Sequence, residues 1–152
     1  MIQITIRRVN WFLFFRRYEV KDDAGLNYSI QSSPQEIQLK RDSKLIFSGD
    51  VYEKTYFDGS EMEVSRISAP KSFKFKDDSD IDYCKPTKIN SRVTTRILYK
   101  GKFLAEVFYR NNWLKLSEDY NIKIFSDDKD VVDKVIFTFM HDYNFNQMYF
   151  GT

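Results

Sequence analysis

The sequence holds one cysteine and one histidine in 152 residues. A single cysteine excludes an internal disulfide framework and suits a reducing compartment. A single histidine leaves too few ligands for most zinc sites and too few partners for most histidine-based acid–base mechanisms. Five glycines and three prolines are too few for a disordered or collagen-like chain. Charge of one sign is missing too: 24 Lys+Arg stand against 22 Asp+Glu, for a net charge of +2. The signs are interleaved, without the concentrated basic footprint that nucleic acid demands. No segment approaches the roughly 18–20 apolar residues of a membrane-spanning helix. The run Trp11-Phe12-Leu13-Phe14-Phe15 between Arg7-Arg8 and Arg16-Arg17 is too short for the apolar core of a signal peptide, and no small-residue cleavage site follows it. A soluble, cytoplasmic chain of one domain spanning residues 1–152, with no transmembrane segment and no nucleic-acid partner, is the expectation.

Aromatics are abundant instead, at 17% of the chain with 14 Phe and 10 Tyr, and they fall in an alternating pattern. Ile2, Ile4 and Ile6 share one strand face while Gln3, Thr5 and Arg7 take the other. Tyr18 and Val20 lead into Asp22-Asp23-Ala24-Gly25, after which Leu26, Tyr28 and Ile30 resume the alternation: a hairpin. A second hairpin runs from Thr95 to Tyr99, turns at Lys100-Gly101-Lys102 and returns from Phe103 to Tyr109, where Asn111-Asn112 is expected to break it. Ile122 and Ile124 mark a further strand. Between the hairpins lie Ile37–Leu39, Lys44–Phe47, Val51–Phe57, Met62–Ile67 and Ser72–Lys76, with turns expected at Ser48-Gly49-Asp50 and Asp58-Gly59-Ser60. Many short strands at close spacing predict a barrel or a sandwich. The period then changes. Val131, Val132, Val135, Ile136, Phe139, Met140 and Tyr143 recur at helical spacing behind the caps Ser126, Asp127 and Asp128. A helix over about 128–143 that is apolar around most of its circumference must be buried. Lys134 to Met140 is also β-branched and aromatic enough for a strand; the helix is the favoured reading.

The opening stretch IRRVNWFLFFRRYEVKDDAGLNYSI resembles that of the LURP-one-related proteins. Their pattern is a Phe-containing strand, an aromatic-x-Val/Ile-x-Asp-x-x-Gly hairpin and a strand carrying Tyr or Val, with Tyr18, Val20, Asp22 and Gly25 at those places here. The closing stretch from Ile97 to Phe145 is similar to the family's Gly-centred hairpin, aromatic, Tyr-x-Ile-x-Ile strand and acidic-capped apolar helix, through Gly101, Ala105, Val107, Trp113, Tyr120, Ile122, Ile124 and Asp142. The resemblance covers roughly the first 30 and the last 55 residues, and the stretch from Gln31 to Asn90 is generic β sequence. It implies the fold shared by these proteins, phospholipid scramblases and tubby C-terminal domains: mainly β, a closed antiparallel barrel around a central C-terminal apolar helix. Closure would remove strand edges, and a helix would fill a barrel too wide for side chains alone. The Pro-rich leader, cysteine cluster and calcium-binding stretch of scramblases are not evident, and the paired basic residues of the longer tubby domains cannot be placed. A shared fold does not by itself carry an activity.

Several residues invite chemistry. His141-Asp142 is an acid–base pair by type, but both sit near the end of the expected central helix, and Cys84 with His141 has no local nucleophile signature. Asp78, Asp80 and Asp82 alternate like calcium-loop ligands, yet the glycine and terminal glutamate of an EF-hand are missing, so a solvated acidic loop is expected there. No catalytic residue, metal or cofactor is assigned. Basic residues beside aromatics suit anionic lipid headgroups better. The candidates are Arg7, Arg8, Arg16 and Arg17 around Trp11–Phe15; Lys74 and Lys76, with Lys71 nearby, opposite Phe73 and Phe75; and Arg92 with Arg96. Lysine and arginine also stud the outside of any soluble fold. The chain is thus expected to be a non-enzymatic domain that binds an anionic phospholipid headgroup or sits peripherally on a membrane surface. The alternative is a protein–protein interaction module using exposed aromatics such as Trp113, Tyr149 and Phe150.

Overall fold

A computed structural model describes residues 1–9, 16–23, 25, 27–33, 36–50, 54–57, 60–65, 71–75, 79–84, 93–112 and 117–150. They form twelve strands and one helix: β1 (Ile2–Arg8), β2 (Arg16–Asp22), β3 (Asn27–Ser32), β4 (Glu36–Arg41), β5 (Lys44–Asp50), β6 (Lys54–Phe57), β7 (Ser60–Ser65), β8 (Lys71–Lys74), β9 (Asp80–Cys84), β10 (Val93–Tyr99), β11 (Lys102–Asn112), β12 (Ser117–Ile124) and α1 (Lys129–Phe150). The protein is mainly β with a C-terminal helix, as the alternation and the late change of period predict. Each strand pairs antiparallel with its neighbour in sequence, and β1 pairs with both β2 and β12. Its three isoleucines set the second register: Ile2 faces Ile124, Ile4 faces Ile122 and Ile6 faces Tyr120. Each of the twelve therefore has a partner on both sides.

The alternation sorts side chains as expected. Ile4, Ile6, Val20, Ile30, Ile37, Leu39, Phe47, Phe73, Ile81, Ile97, Val107, Ile122 and Ile124 are buried, and every residue of the helix from Val131 to His141 is buried with them. The helix meets strands from several directions. Phe137 stacks on Phe47 of β5 with centroids 4.4 Å apart and planes at 12°. Phe139 meets Tyr120 of β12 at 5.2 Å, and His141 meets Phe73 of β8 at 5.6 Å. The Tyr83 hydroxyl of β9 bonds the Thr138 hydroxyl, which donates back to the Lys134 carbonyl one turn earlier. Fully burying one such aromatic is worth about 1.5–3 kcal/mol.

Four readings of the sequence are corrected by the structure. Ser48-Gly49-Asp50 is the end of β5 rather than a turn, because Gly49 faces Ile37 in a regular antiparallel pair. The chain turns instead at Asp42-Ser43, whose φ values of +50° and +67° close the β4–β5 hairpin. Asn111-Asn112 does not break β11, since both remain paired with β12 opposite Glu118 and Ser117. The acidic stretch at Asp80–Asp82 is a strand: Ile81 and Tyr83 point inward and are buried, which outweighs the solvation of the alternate aspartates. Asp128 is the residue that caps α1, its carboxylate accepting the Asp130 amide at 3.0 Å, and the helix extends past residue 143 to Phe150. The Asp58-Gly59 turn lies outside the described residues.

Candidate functional site

The outward face of β2 carries Arg17, Glu19 and Lys21, because Tyr18 and Val20 take the inward places. The antiparallel registers then assemble the rest of the wall. Arg7 of β1 lies directly opposite Glu19. On the other side Gln31, Ser29 and Asn27 of β3 lie opposite Arg17, Glu19 and Lys21. One row further, Lys40 of β4 faces Ser29. Glu19 is thus surrounded by Arg7, Arg17 and Lys21, with the Lys21 ammonium 3.9 Å from its carboxylate. Both partners of that pair are well exposed, so it constrains neither side chain strongly. Against Arg7 on its other edge, β12 presents Asp119 in register.

A cavity of about 520 Å³ opens on this wall, lined by Val9, by Arg17 to Val20 of β2 and by Asn27 to Gln31 of β3. That size is within the ordinary range of small-ligand sites. Arg17, Glu19, Ser29, Asn27 and Gln31 border it from the outward face, and the inward-facing Tyr18 and Tyr28 also belong to its lining. This set recognises charged and hydroxyl groups by hydrogen bonding.

No family model, curated protein or solved structure matches this chain.

The basic candidates do not converge on one place. Arg7 and Arg17 share the wall just described, but Arg8, next to Arg7, takes the opposite face of β1 and is half-buried. Arg16 begins β2, and its side chain lies outside the described residues, as do Trp11–Phe15. Lys74 is exposed on β8, separated from β1 by four strands in the order of pairing, and faces Glu63 and Asp80 in register. Lys76 and Arg92 lie outside the described residues. Arg96 is on β10, where its guanidinium covers the Phe103 ring at 4.6 Å. Phe103 in turn touches Phe125 at 5.4 Å, and the two are 40% and 48% exposed. Lys21 and Lys40 were not singled out from the sequence. The signal was available: Lys21 follows Arg17 by four residues, which on a strand means the same face.

The catalytic candidates are placed by packing. His141 is buried between Phe73 and Phe137. Cys84 is half-buried on β9, its thiol directed at the Arg96 carbonyl at 3.6 Å. Among the described residues, no group of three His, Cys, Asp or Glu is placed to hold a metal ion.

Two oppositely charged residues of the helix are buried side by side. The Tyr28 hydroxyl donates to Asp133 at 2.7 Å, and Arg41 reaches the other carboxylate oxygen at 2.6 Å. Tyr28 and Arg41 face each other across β3 and β4, so the two strands hold the helix jointly. Burial, reinforced by the neighbouring carboxylate, pushes the Tyr28 hydroxyl well above the ordinary tyrosine range, and Tyr28 remains a donor. Burial also pushes the Asp133 carboxyl above its usual range, against the Tyr28 hydroxyl and the Arg41 guanidinium, which favour the charged form. Lys134 is 2% exposed; its ammonium lies 3.0 Å from Asp130, donates to the Ser79 hydroxyl at 3.4 Å and sits 4.6 Å above the Phe75 ring. These pairs anchor the helix and belong to the fold.

Proposed function

We propose that this chain is a non-enzymatic binding domain that recognises anionic phospholipid headgroups at a membrane surface, on the cytoplasmic side, and that its strands form a closed barrel of the tubby-like, LURP-one-related kind. The barrel is supported by β1, which pairs with β2 on one edge and β12 on the other, and by a helix buried from Val131 to His141. The observation that carries the function is the cavity of about 520 Å³ beside Arg17, with Arg7 and Lys21 close by on the same wall. A guanidinium offers a phosphate two parallel N–H donors, and Ser29, Asn27 and Gln31 offer neutral partners to the rest of a headgroup. The enclosure of His141 among Phe73 and Phe137 supports a structural rather than a catalytic place for the one histidine. No helix of the described residues is long and apolar enough to cross a membrane, and on this reading the chain meets the membrane surface through the wall.

Co-sedimentation with phosphatidylcholine vesicles, with and without phosphatidylserine, tests this at low and high salt. Binding that requires the anionic lipid, weakens with salt and falls at least about thirtyfold in Arg7→Glu/Arg17→Glu is expected, since each basic residue near such a surface contributes on the order of 1 kcal/mol and the variant reverses two of them. Equal binding by the variant would refute the assignment to this wall. Exposed Phe103 and Phe125 favour a second reading, an apolar contact with another protein. Such a contact is indifferent to salt, and a salt-resistant complex lost in Phe103→Ser/Phe125→Ser would select it.

A further inference from the structure

The outward face of β2 reads cation, anion, cation: Arg17, Glu19, Lys21. A site built only to attract phosphate has no use for the middle carboxylate, which weakens anion binding. Glu19 nevertheless borders the cavity, between Arg17 at one end and Asn27, the partner of Lys21, at the other. Alternate residues of a strand lie about 6.5–7 Å apart, and long flexible side chains close much of that gap.

From this set of charges we infer that the cavity, with Lys21 at its margin, selects a phosphoserine group, which offers a phosphate and, branching from one carbon, an ammonium and a carboxylate: an anion, a cation and a second anion to complement Arg17, Glu19 and Lys21. This rests on the headgroup reading above and names the class of headgroup. The phosphate meets the Arg17 guanidinium, the ammonium donates to the Glu19 carboxylate, and the serine carboxylate faces Lys21. The Ser29 hydroxyl and the Gln31 amide, opposite Glu19 and Arg17, lie beside the first two contacts. The exposed ion pair between Lys21 and Glu19 does not stand in the way. Its 3.9 Å separation and high exposure make it weak, and the ligand replaces it with one partner for each side chain. Arg7, opposite Glu19, keeps the site cationic overall, so an isolated amine is repelled and a zwitterion is accepted only with its anionic ends. A phosphoglycerol headgroup carries the same net charge as phosphoserine but offers hydroxyls where Glu19 wants a cation. Glu19 is therefore the residue that separates the two.

The test compares vesicles of phosphatidylcholine mixed with an equal fraction of either phosphatidylserine or phosphatidylglycerol. The native chain is expected to bind the serine lipid about tenfold more tightly, the scale of one charge-assisted hydrogen bond. Glu19→Gln should erase that preference while keeping binding to the glycerol lipid, and Arg17→Gln should weaken binding to both. Glu19→Asp, which keeps the charge, should retain part of the preference. Free O-phosphoserine added as competitor separates the sources. Displacement from the serine vesicles assigns the site to the phosphoserine group alone, and no displacement with the preference intact assigns it to that group held in a bilayer. Equal affinity of the native chain for both lipids, or a preference that survives Glu19→Gln, overturns the inference and leaves the headgroup reading standing. Binding to neither lipid removes both.

Discussion

At the scale of single residues the molecule separates charges that bind from charges that hold. Arg17, Glu19 and Lys21 are exposed, whereas Asp133 and Lys134 are adjacent, opposite in sign and buried. Removing a partner from a buried charge and removing the charge itself have different consequences. Arg41→Met leaves the Asp133 carboxylate with the Tyr28 hydroxyl and no cation at 2.6 Å, and should cost about 3 kcal/mol in urea unfolding. Lys134→Met keeps the buried stem and removes the ammonium from a half-exposed Asp130, so a change within about 1 kcal/mol is expected. Equal losses in the two variants would refute this division. Asp133 also sets a pH dependence. Its carboxyl is raised in the folded state, so the native protein holds this proton to higher pH than the unfolded chain. The stability it contributes is fully present below the ordinary Asp value of about 4 and is lost as pH rises through the raised value. The stability of the native chain minus that of Asp133→Asn should accordingly fall as pH rises above the ordinary Asp value of about 4. A constant or growing difference would show that Arg41 and Tyr28, not burial, dominate.

Elements show where the sequence was legible. Period-two alternation placed β1, β3 and β4, and Gly25 and Gly101 marked hairpin turns where φ is +80° and +76°. The acidic cap and the change to helical spacing located the start of α1 to within a residue. The differences have a common cause: local signals point one way where partners across the sheet decide. Gly49 reads as a turn until Ile37 is seen opposite it, and Asp80–Asp82 reads as a solvated loop until Ile81 and Tyr83 are seen buried. The basic wall was half legible, because Arg7 and Arg17 are distant in sequence and only the β1–β2 register brings Glu19 between them. The helix is the element most exposed to test. Phe137→Ala removes a ring stacked on Phe47 and should cost about 3–5 kcal/mol. A cycle with Phe47→Ala should show a coupling of about 0.5–1.5 kcal/mol; additive losses would mean that the two rings share a core without sharing a contact. Phe139→Asp buries an unpaired charge on the same helix and should abolish cooperative unfolding.

For the whole molecule, β1 decides whether there are edges. It joins the first strand to the last through contacts such as Thr5 donating to Asn121 at 2.9 Å, 116 residues away, and it contributes Ile4 and Ile6 to the core. Strand pairing of such separation is reached late, because loop closure must be met before the contacts reward it. If β1 docks last, the intermediate before it would present unpaired backbone on the outer edges of β2 and β12, a template for association. Deleting residues 1–8 should make that intermediate permanent: a chain that keeps much of its β circular dichroism, loses its sharp thermal transition and elutes as oligomers. The same edges predict repair from outside, since a peptide of residues 1–8 added in excess can pair with β2 and β12 in the native registers and restore the monomer. Arg7 and Glu19 are neighbours only across the β1–β2 pair, so vesicle binding should return with the peptide and weaken when it carries Arg7→Glu. A truncated chain that remains monomeric and unfolds sharply without the peptide would show that eleven strands and the helix suffice, and that β1 serves the binding wall alone.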